Sequence, residues 1–435
     1  MGRKIKKNQK GITLVALILT VIVLLILLGV TFDIAVDGKL FDSARTAVGE
    51  TNDKVAGFEN SADRYGGQLE QELTSYEEES RESLKGKRVG VNTKYTDING
   101  KTAVIPEGFT LSGIASEQTV DGGLVIYDIP VTEVASIDWK NADSVKTKYN
   151  QFVWIPVEVT KSDTPTSVSA FSYSASSGAE PNEKYGYDGE VKDYENTIKS
   201  VYKYGGFYIG RYEAGTTVPR SNGDQKGSTS LVIVQDAYPY NWVQWGTSSN
   251  TIGKIGAVSL SKKLYTGKTG YGVISELQSC ATWKCTMEFL GYNASGSTKI
   301  DASRWGNYYG SSFNISRGKY STDHVSGTWT TVSGTYTKQT NARVLLTTGS
   351  SNNLCNKNIY DLAGNVAEWT VGYNPDTSND RNIKDRTFLG GAFGDVPISY
   401  WNFDINPYVI KTGISSLTAS IATATIGFRP VLYIK

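Results

Sequence analysis

The chain carries three cysteines, Cys280, Cys285 and Cys355, and a single histidine, His324, and these few residues bound the chemistry it can perform. Three thiols make neither a disulfide framework nor a CxxC…CxxC zinc pattern. Cys280 and Cys285 stand five residues apart in a stretch read as helix. At about 100° per residue their side chains point about 140° away from each other, which is poor for a chelate or a bridge. Burial as small hydrophobes is the ordinary use of such residues, and a Cys280–Cys355 or Cys285–Cys355 bridge stays open. A Ser-His-Asp arrangement would need His324, which lies in the polar run Ser321-Thr-Asp-His-Val-Ser326 and reads as an exposed loop residue rather than a general base. One histidine also cannot build an iron site from several imidazoles.

The elements that must position these residues follow from composition and pattern. At 435 residues the chain exceeds one typical domain. Its 45 Gly and 27 Tyr against 2 Met point to a body rich in strands and loops, and a net charge of +1 argues against a general nucleic-acid binder. Charge is uneven along the chain: five bases precede residue 12, and residues 33–85 hold 13 acids against 6 bases. Between them Ile12–Phe32 runs 21 residues without a charge. That is about 30 Å of helix, which predicts a single membrane span with its basic end in the cytoplasm. Apolar spacings of three, four and seven from Phe41 to Tyr76 predict an acidic amphipathic helical stalk over 33–85, whose narrow stripe suits pairing and self-association through another helix. Residues 86–148 read as a small β spacer or the leading edge of the next domain, with hairpin signals at Asn99-Gly100 and Asp121-Gly-Gly123. The main domain, 149–435, is predicted to hold a buried strand at Phe152–Val157, a helix at Tyr194–Tyr204, a strand at Gly206–Glu213 and an apolar helix at Ser275–Leu290. Residues 293–350 read mostly as loop.

Two resemblances rest on these residues. Lys10-Gly11-Ile12-Thr13-Leu14, a short basic leader ending in Gly before an apolar helix, resembles the class III signal of type IV prepilins and pseudopilins. That resemblance implies cleavage by a prepilin peptidase after Gly11 and methylation of Ile12. Ala16 stands where the family usually has a filament-docking Glu. The ordered phrases Gly206-Phe-Tyr-Ile-Gly-Arg-Tyr-Glu213, Tyr238-Pro-Tyr-Asn-Trp-Val-Gln-Trp245, the 275–290 helix, Tyr360-Asp-Leu-Ala-Gly-Asn-Val-Ala-Glu-Trp369, Gly390-Gly391 and Gly427-Phe-Arg429 resemble the formylglycine-generating-enzyme (sulfatase-modifying-factor) domain. That family is an elaborated C-type-lectin-like fold. The resemblance therefore implies an α+β chain, a long N-terminal transmembrane and stalk helix followed by an irregular C-type-lectin-like domain. Joined in one chain, the two parts resemble surface proteins of Firmicutes or their mobile elements. In the family a calcium sits in the loop matching 361–368, which implies a structural Ca²⁺ on the Asp361 and Glu368 carboxylates and the Gly364 and Val366 carbonyls. Oxygen ligands on a tight Gly-Asn turn suit that ion. The plainer use of both acids is to accept backbone amides in a buried turn. Oxidase members place two copper-binding cysteines between Gly-Gly and Gly-Phe-Arg, whereas 392–427 contains none. Leu389, Ala392 and Phe393 also replace the family's Arg and Ser-Trp. No catalytic residue is assigned, and the chain is read as a non-enzyme.

Where those cysteines would stand, residues 394–427 contain no Glu, Gln or Met, one Lys (Lys411) and one Trp (Trp401). Apart from Lys411 and Trp401, the types present can be reached from an Asn codon by changing its first two bases. Diversity-generating retroelements randomise adenines in this way, and their targets commonly carry C-type-lectin-like folds ending in such a segment. The expectation is a surface for a protein or glycan ligand, with Tyr400, Trp401, Asn402, Phe403, Asp404, Asn406 and Tyr408 as contacts, since aromatic rings give rigid area and Asn and Asp adaptable hydrogen bonds. An ordinary strand-rich surface is depleted in Glu, Gln and Lys as well. The leading function is thus a membrane-anchored cell-surface display protein, N-terminus cytoplasmic and C-terminal domain extracellular. The alternatives are a minor pilin or pseudopilin of a type IV pilus or type II secretion-like system, and a formylglycine-generating-type oxidase without its cysteines.

Overall fold

The computed structural model describes residues 81–172, 191–222, 230–246, 256–292, 305–373, 386–394 and 422–435. Residues 77–435 make up one compact unit. Nine strands position the candidate site: β1 (Thr110–Leu111), β2 (Val125–Tyr127), β3 (Gln151–Pro156), β4 (Gly206–Gly210), β5 (Val273–Leu277), β6 (Ala367–Tyr373), β7 (Arg386–Leu389), β8 (Ile426–Phe428) and β9 (Pro430–Ile434). Six of them form the central sheet in the order β1-β2-β3-β4-β9-β5, antiparallel at every pairing. A second sheet, β7-β6-β8, pairs β6 antiparallel to β7 and parallel to β8.

The central strands read as unbroken apolar runs because both faces of the sheet are covered. Successive side chains point to opposite faces. Phe152 and Trp154 of β3, Tyr208 of β4 and Leu432 and Ile434 of β9 enter one hydrophobic cluster, which also takes Trp245, Trp369 and Phe428. Val153 and Ile155, Phe207 and Ile209, and Val431 and Tyr433 enter the other. Four helices flank the strands: α1 (Ala142–Lys146), α2 (Val191–Tyr204), α3 (Ala257–Lys263) and α4 (Cys280–Phe289). Ile198 and Val201 of α2 and Trp283 and Met287 of α4 pack on the second face, and Ala257 and Val258 of α3 on the first.

The structure corrects several expectations. The α+β arrangement headed by a long transmembrane and stalk helix gives way to a mostly β body, with twenty strands and four short α-helices named among the described residues. No helix of the described residues is long and apolar enough to cross a membrane. Gly11 and Ile12, the 12–32 stretch and all of 33–80 lie outside the described residues, and of the expected stalk only the helical turn at 81–84 and Lys85 are described. The 86–148 stretch supplies β1 and β2 to the central sheet and Phe109, Leu111 and Ile126 to its core, as the leading edge of the main domain would. The helix expected over 275–290 begins only at Cys280. Leu277 ends a strand, and Ser279 caps the helix by accepting from the Thr282 N–H at 3.1 Å while Thr282 Oγ1 accepts from the Ser279 N–H at 2.8 Å. Residues 293–350, read as loop, contain short strands at Phe313–Ile315, Lys319–Asp323, Thr328–Thr331, Tyr336–Lys338 and Leu345–Leu346.

The two glycine signals also part company. Asn99-Gly100 turns a hairpin between strands at Thr93–Thr96 and Thr102–Ile105. Asp121-Gly-Gly123 lies in the long connection between β1 and β2, which pair antiparallel, and brings the backbone against Lys357 and Asn358. Gly100 has φ 74° with open space where a Cβ would go, whereas at Gly123, φ 89°, a Cβ would stand 1.9 Å from the Lys357 carbonyl oxygen. Gly100→Ala should therefore lower stability by about 1 kcal/mol and Gly123→Ala by more than about 2 kcal/mol. Denaturant unfolding of the two variants checks this, and equal losses would refute the contact.

Candidate functional site

The phrases that carry the sequence signal meet at one buried polar cluster. Lys357, Asn358, Asp361 and Asn365 all have positive φ, between 45° and 64°, a region that Asn and Asp tolerate better than other side chains. The turn they form is held by its own side chains. Asn358 Nδ2 donates to the carbonyls of Ser116, Gly122 and Gly123, at 2.8 Å for the last, and its Oδ1 accepts from Arg211 Nη2 at 3.1 Å. Asn365 Oδ1 accepts from the Leu346 N–H at 3.0 Å and Asn307 Nδ2 at 2.9 Å, and its Nδ2 donates to Glu213.

From the chain end comes Arg429, 0% exposed. Its Nε and Nη2 donate to Glu368 Oε1 at 2.8 and 2.6 Å, its Nη1 to the Gly210 carbonyl at 2.8 Å, and its Nη2 also to the Tyr360 carbonyl at 2.9 Å. Glu368 Oε2 accepts from Gln278 Nε2 at 2.7 Å. Asp361 Oδ2 accepts from the Gly349 N–H at 2.7 Å. Glu213 Oε2 and Asp361 Oδ1 have no hydrogen-bond partner. Burial and then the neighbouring Asp361 charge push the Glu213 carboxyl well above its ordinary value, and burial lifts Asp361 to about 7. Both carboxyls are thus biased toward their protonated forms beside the Arg429 guanidinium.

This geometry can be set against the two uses of Asp361 and Glu368 left open by the sequence. Asp361 accepts a backbone amide. Glu368 has both oxygens committed, one to a guanidinium that occupies the place a cation would take, so it does not fit the expected calcium set with Asp361, Gly364 and Val366. Among the described residues no group of three or more His, Cys, Asp or Glu is arranged to hold a metal ion. Gly364 instead donates its N–H to the Gly390 carbonyl at 2.8 Å, and Val366 packs with Leu345 and Phe393. No disulfide joins the cysteines, which answers the question of a bridge to Cys355. Cys280 lies 3.7 Å from Thr370 Oγ1, and Cys285 donates to the Ala170 carbonyl at 3.3 Å. His324 is half-buried rather than exposed. It stacks on Phe393 with ring centroids 4.3 Å apart, and its Nε2 lies 3.1 Å from the Arg343 carbonyl, with no triad formed.

The expected ligand contacts Tyr400, Trp401, Asn402, Phe403, Asp404, Asn406 and Tyr408 lie outside the described residues, but both roots of their segment are described. Leu389, at the end of β7, and Gly427, in β8, sit on either side of Glu368 in β6. The two roots are therefore two strand spacings apart, about 10 Å. On the outgoing root the Gly390 carbonyl also accepts from the Tyr308 hydroxyl at 2.8 Å, and the Phe393 N–H donates to the Asn365 carbonyl at 2.9 Å. On the returning root the carbonyls of Thr423, Ala424 and Thr425 accept from Trp242 N–H, Asn241 Nδ2 and Ala367 N–H, at 2.9, 2.9 and 2.8 Å.

Sequence reasoning missed a second buried ion pair, Arg211 Nη1 to Glu117 Oε1 at 2.7 Å, both side chains 1% exposed. Glu117 also accepts from Ser112 and Tyr127, and despite its burial the Arg211 charge holds its carboxyl below the usual value. The partners lie 94 residues apart, so no local spacing could signal them.

Arg429→Met leaves Glu368 charged, buried and held only by Gln278, and should destabilise the protein by about 3–5 kcal/mol. The double variant Arg429→Met/Glu368→Leu should recover at least half of that loss in urea unfolding, and no recovery would mean the guanidinium acts through packing alone. Glu213 and Asp361 have folded values above their unfolded ones. Their contribution is complete below about pH 4; that of Asp361 is lost as pH rises through about 7, and that of Glu213 as pH rises through its own raised value. Between pH 5 and 8 the wild-type urea midpoint should fall relative to that of Glu213→Gln, and parallel curves would rule out an elevated Glu213.

No family model matches the chain, and no curated protein matches it. Among solved structures, the crystal structure of CarF aligns with 18% identity over 53% of this chain and 87% of its own, at a TM-score of 0.26, a likeness too slight to assign either a fold or a function.

Proposed function

We propose that the protein is a non-catalytic binding module that contacts a protein or glycan ligand through its 394–427 segment. The observation that carries this reading is the root geometry: a segment of unusual composition leaves and returns on either side of one buried strand, with each limb tied by backbone hydrogen bonds to the core. Roots held in this way are ordered before a ligand arrives, which favours affinity. The residue types in the segment, Tyr, Trp, Phe, Asn and Asp, are those of adaptable recognition loops. The separated thiols, one facing Thr370 and one facing the Ala170 carbonyl, support the non-catalytic half of the reading. Display at a cell surface belongs to the same proposal and rests on the sequence, on the basic leader ahead of the uncharged stretch 12–32.

The test is a binding screen of the purified protein against arrays of surface glycans and surface proteins, repeated with the triple variant Tyr400→Ser/Trp401→Ser/Phe403→Ser. Binding should weaken at least tenfold, about 1.4 kcal/mol or more, while the thermal midpoint stays within about 2 °C. Unchanged binding by the triple variant would remove the segment from the interaction.

A further inference from the structure

The chain's single histidine stands where both limbs of the 394–427 segment meet the body. His324 opens the turn between the paired strands Lys319–Asp323 and Thr328–Thr331. Its ring lies on the Phe393 ring of the outgoing limb, centroids 4.3 Å apart and 16° from parallel. Its carbonyl accepts from the Trp242 indole N–H at 3.1 Å. Trp242, held at φ 51°, in turn donates its backbone N–H to the Thr423 carbonyl of the returning limb at 2.9 Å. The hairpin tip is thus anchored by its backbone toward one limb and reaches the other with a titratable ring. Trp329 of the same hairpin packs on the cluster of Leu345, Val366 and Phe393, so a change at His324 is felt by a packed neighbour and not by an isolated side chain.

The protonation state of the ring follows from its partners. Nε2 lies 3.1 Å from the Arg343 carbonyl, an acceptor only, so the neutral ring carries its proton there and leaves a bare lone pair on Nδ1. Protonation adds a second N–H and a full charge to a half-buried ring. The charged groups facing it come from two elements. On its own hairpin Asp323 is committed to the turn, accepting from the Val325 and Ser326 N–H groups at 3.2 and 3.3 Å and from the Ser326 hydroxyl. On the strand that leads to Leu345, the Arg343 guanidinium reaches to 4.0 Å from where a Cβ on Gly394 would stand, a like charge at the head of the segment. The outgoing limb contributes no charge over 389–394. Behind Trp242, Arg220 donates to the Asn241 and Trp242 carbonyls at 2.6 and 2.9 Å. Burial first, and the Arg343 charge with it, hold the imidazole below its ordinary value against the pull of Asp323 and the Arg343 carbonyl.

We propose that His324 is an acid-sensitive joint for the outgoing root of the 394–427 segment: neutral, its ring clasps Phe393, and protonated, it withdraws from Phe393 into water while its carbonyl stays on Trp242. A base whose folded value is depressed contributes stability that is present above about pH 6.5, its unfolded value, and is lost as pH falls through the folded one, so acid loosens the joint. Weaker ligand binding in acid is the consequence, and that part rests on the reading of 394–427 as a contact surface.

An NMR titration of the full chain between about pH 8 and about pH 4.5 tests the joint without a ligand, since one histidine gives one imidazole signal. The imidazole should titrate at a lower pH than in the urea-unfolded chain, and the Phe393 amide and ring signals should follow the same curve. In His324→Gln, whose amide can still donate to the Arg343 carbonyl but cannot titrate, that component should vanish. Titration of Asp361 at about 7 would persist in this variant and is thereby told apart. Phe393→Leu, which removes the stacked ring, should move the imidazole midpoint up toward the unfolded value. The proposal is overturned if the imidazole titrates at or above its unfolded value, if the Phe393 signals do not follow it, or if their movement survives in His324→Gln. No readout here involves a ligand, so a failed binding screen would remove the contact surface and leave the joint standing.

Discussion

One buried guanidinium holds this structure to its arrangement. Arg429 reaches Glu368, the Gly210 carbonyl and the Tyr360 carbonyl at once, and so ties the end of β4, the turn before β6 and the start of β9. Three carboxylates, Glu213, Asp361 and Glu368, are buried around it, each no more than 1% exposed. Taking such groups out of water costs several kcal/mol per ion unless pairing and hydrogen bonds offset it. The cluster meets that demand in three different ways: a two-pronged ion pair for Glu368, a backbone amide for Asp361, and for Glu213 a carboxyl pushed by burial toward its protonated form. A lysine could not replace Arg429, because its ammonium lacks the planar fork that serves a carboxylate and two carbonyls together.

That constraint reaches outward along hydrogen bonds. Asn365 links Glu213 to Leu346 and, through its carbonyl, to Phe393 on the outgoing root of the 394–427 segment. Asp361 holds the Gly349 N–H, and the Gly349 carbonyl accepts from Gln235. The outgoing root and the Gln235 side chain are thus held from the same turn. A packed core of this kind is not deformed by small amounts, so neither depends on ordering at the moment of binding.

Much of the body was legible where the signal is local. The runs at 152–157 and 206–213 were read as strands, and the structure has strands at Gln151–Pro156 and Gly206–Gly210, while the α2 stripe ends where expected at Tyr204. Misreadings arose where a local pattern was shared by two structures. Leu277 continues the three-to-four spacing of α4 yet ends β5, because the cap at Ser279 overrides periodicity. The short strands between 313 and 346 hide in Ser, Thr and Tyr because half of each faces solvent. At the site, Asp361 and Glu368 were singled out as calcium ligands, and the structure buries both, one on a backbone amide and the other on Arg429 and Gln278. The partner of Glu368 lies 61 residues away, beyond any window in which spacing carries information.

By itself the sequence determined the residue types available: three thiols and one imidazole, which make no CxxC…CxxC zinc pattern, and a segment at 394–427 whose composition stands apart. It also determined the phrases that had to be important, since Gly, Asn, Trp and charged residues in tight order seldom arise in a plain strand. Only the tertiary structure decided what those phrases do. Whether a buried acid binds a cation, accepts an amide or keeps its proton depends on which groups the fold brings within 3 Å, and those groups come from β4, β6, the Gly349 turn and the start of β9. Local pattern records how a chain turns and which face it buries. The neighbour across the core is set by strand pairing over hundreds of residues, and the charge state of Glu213 and the place of Arg429 follow from that pairing.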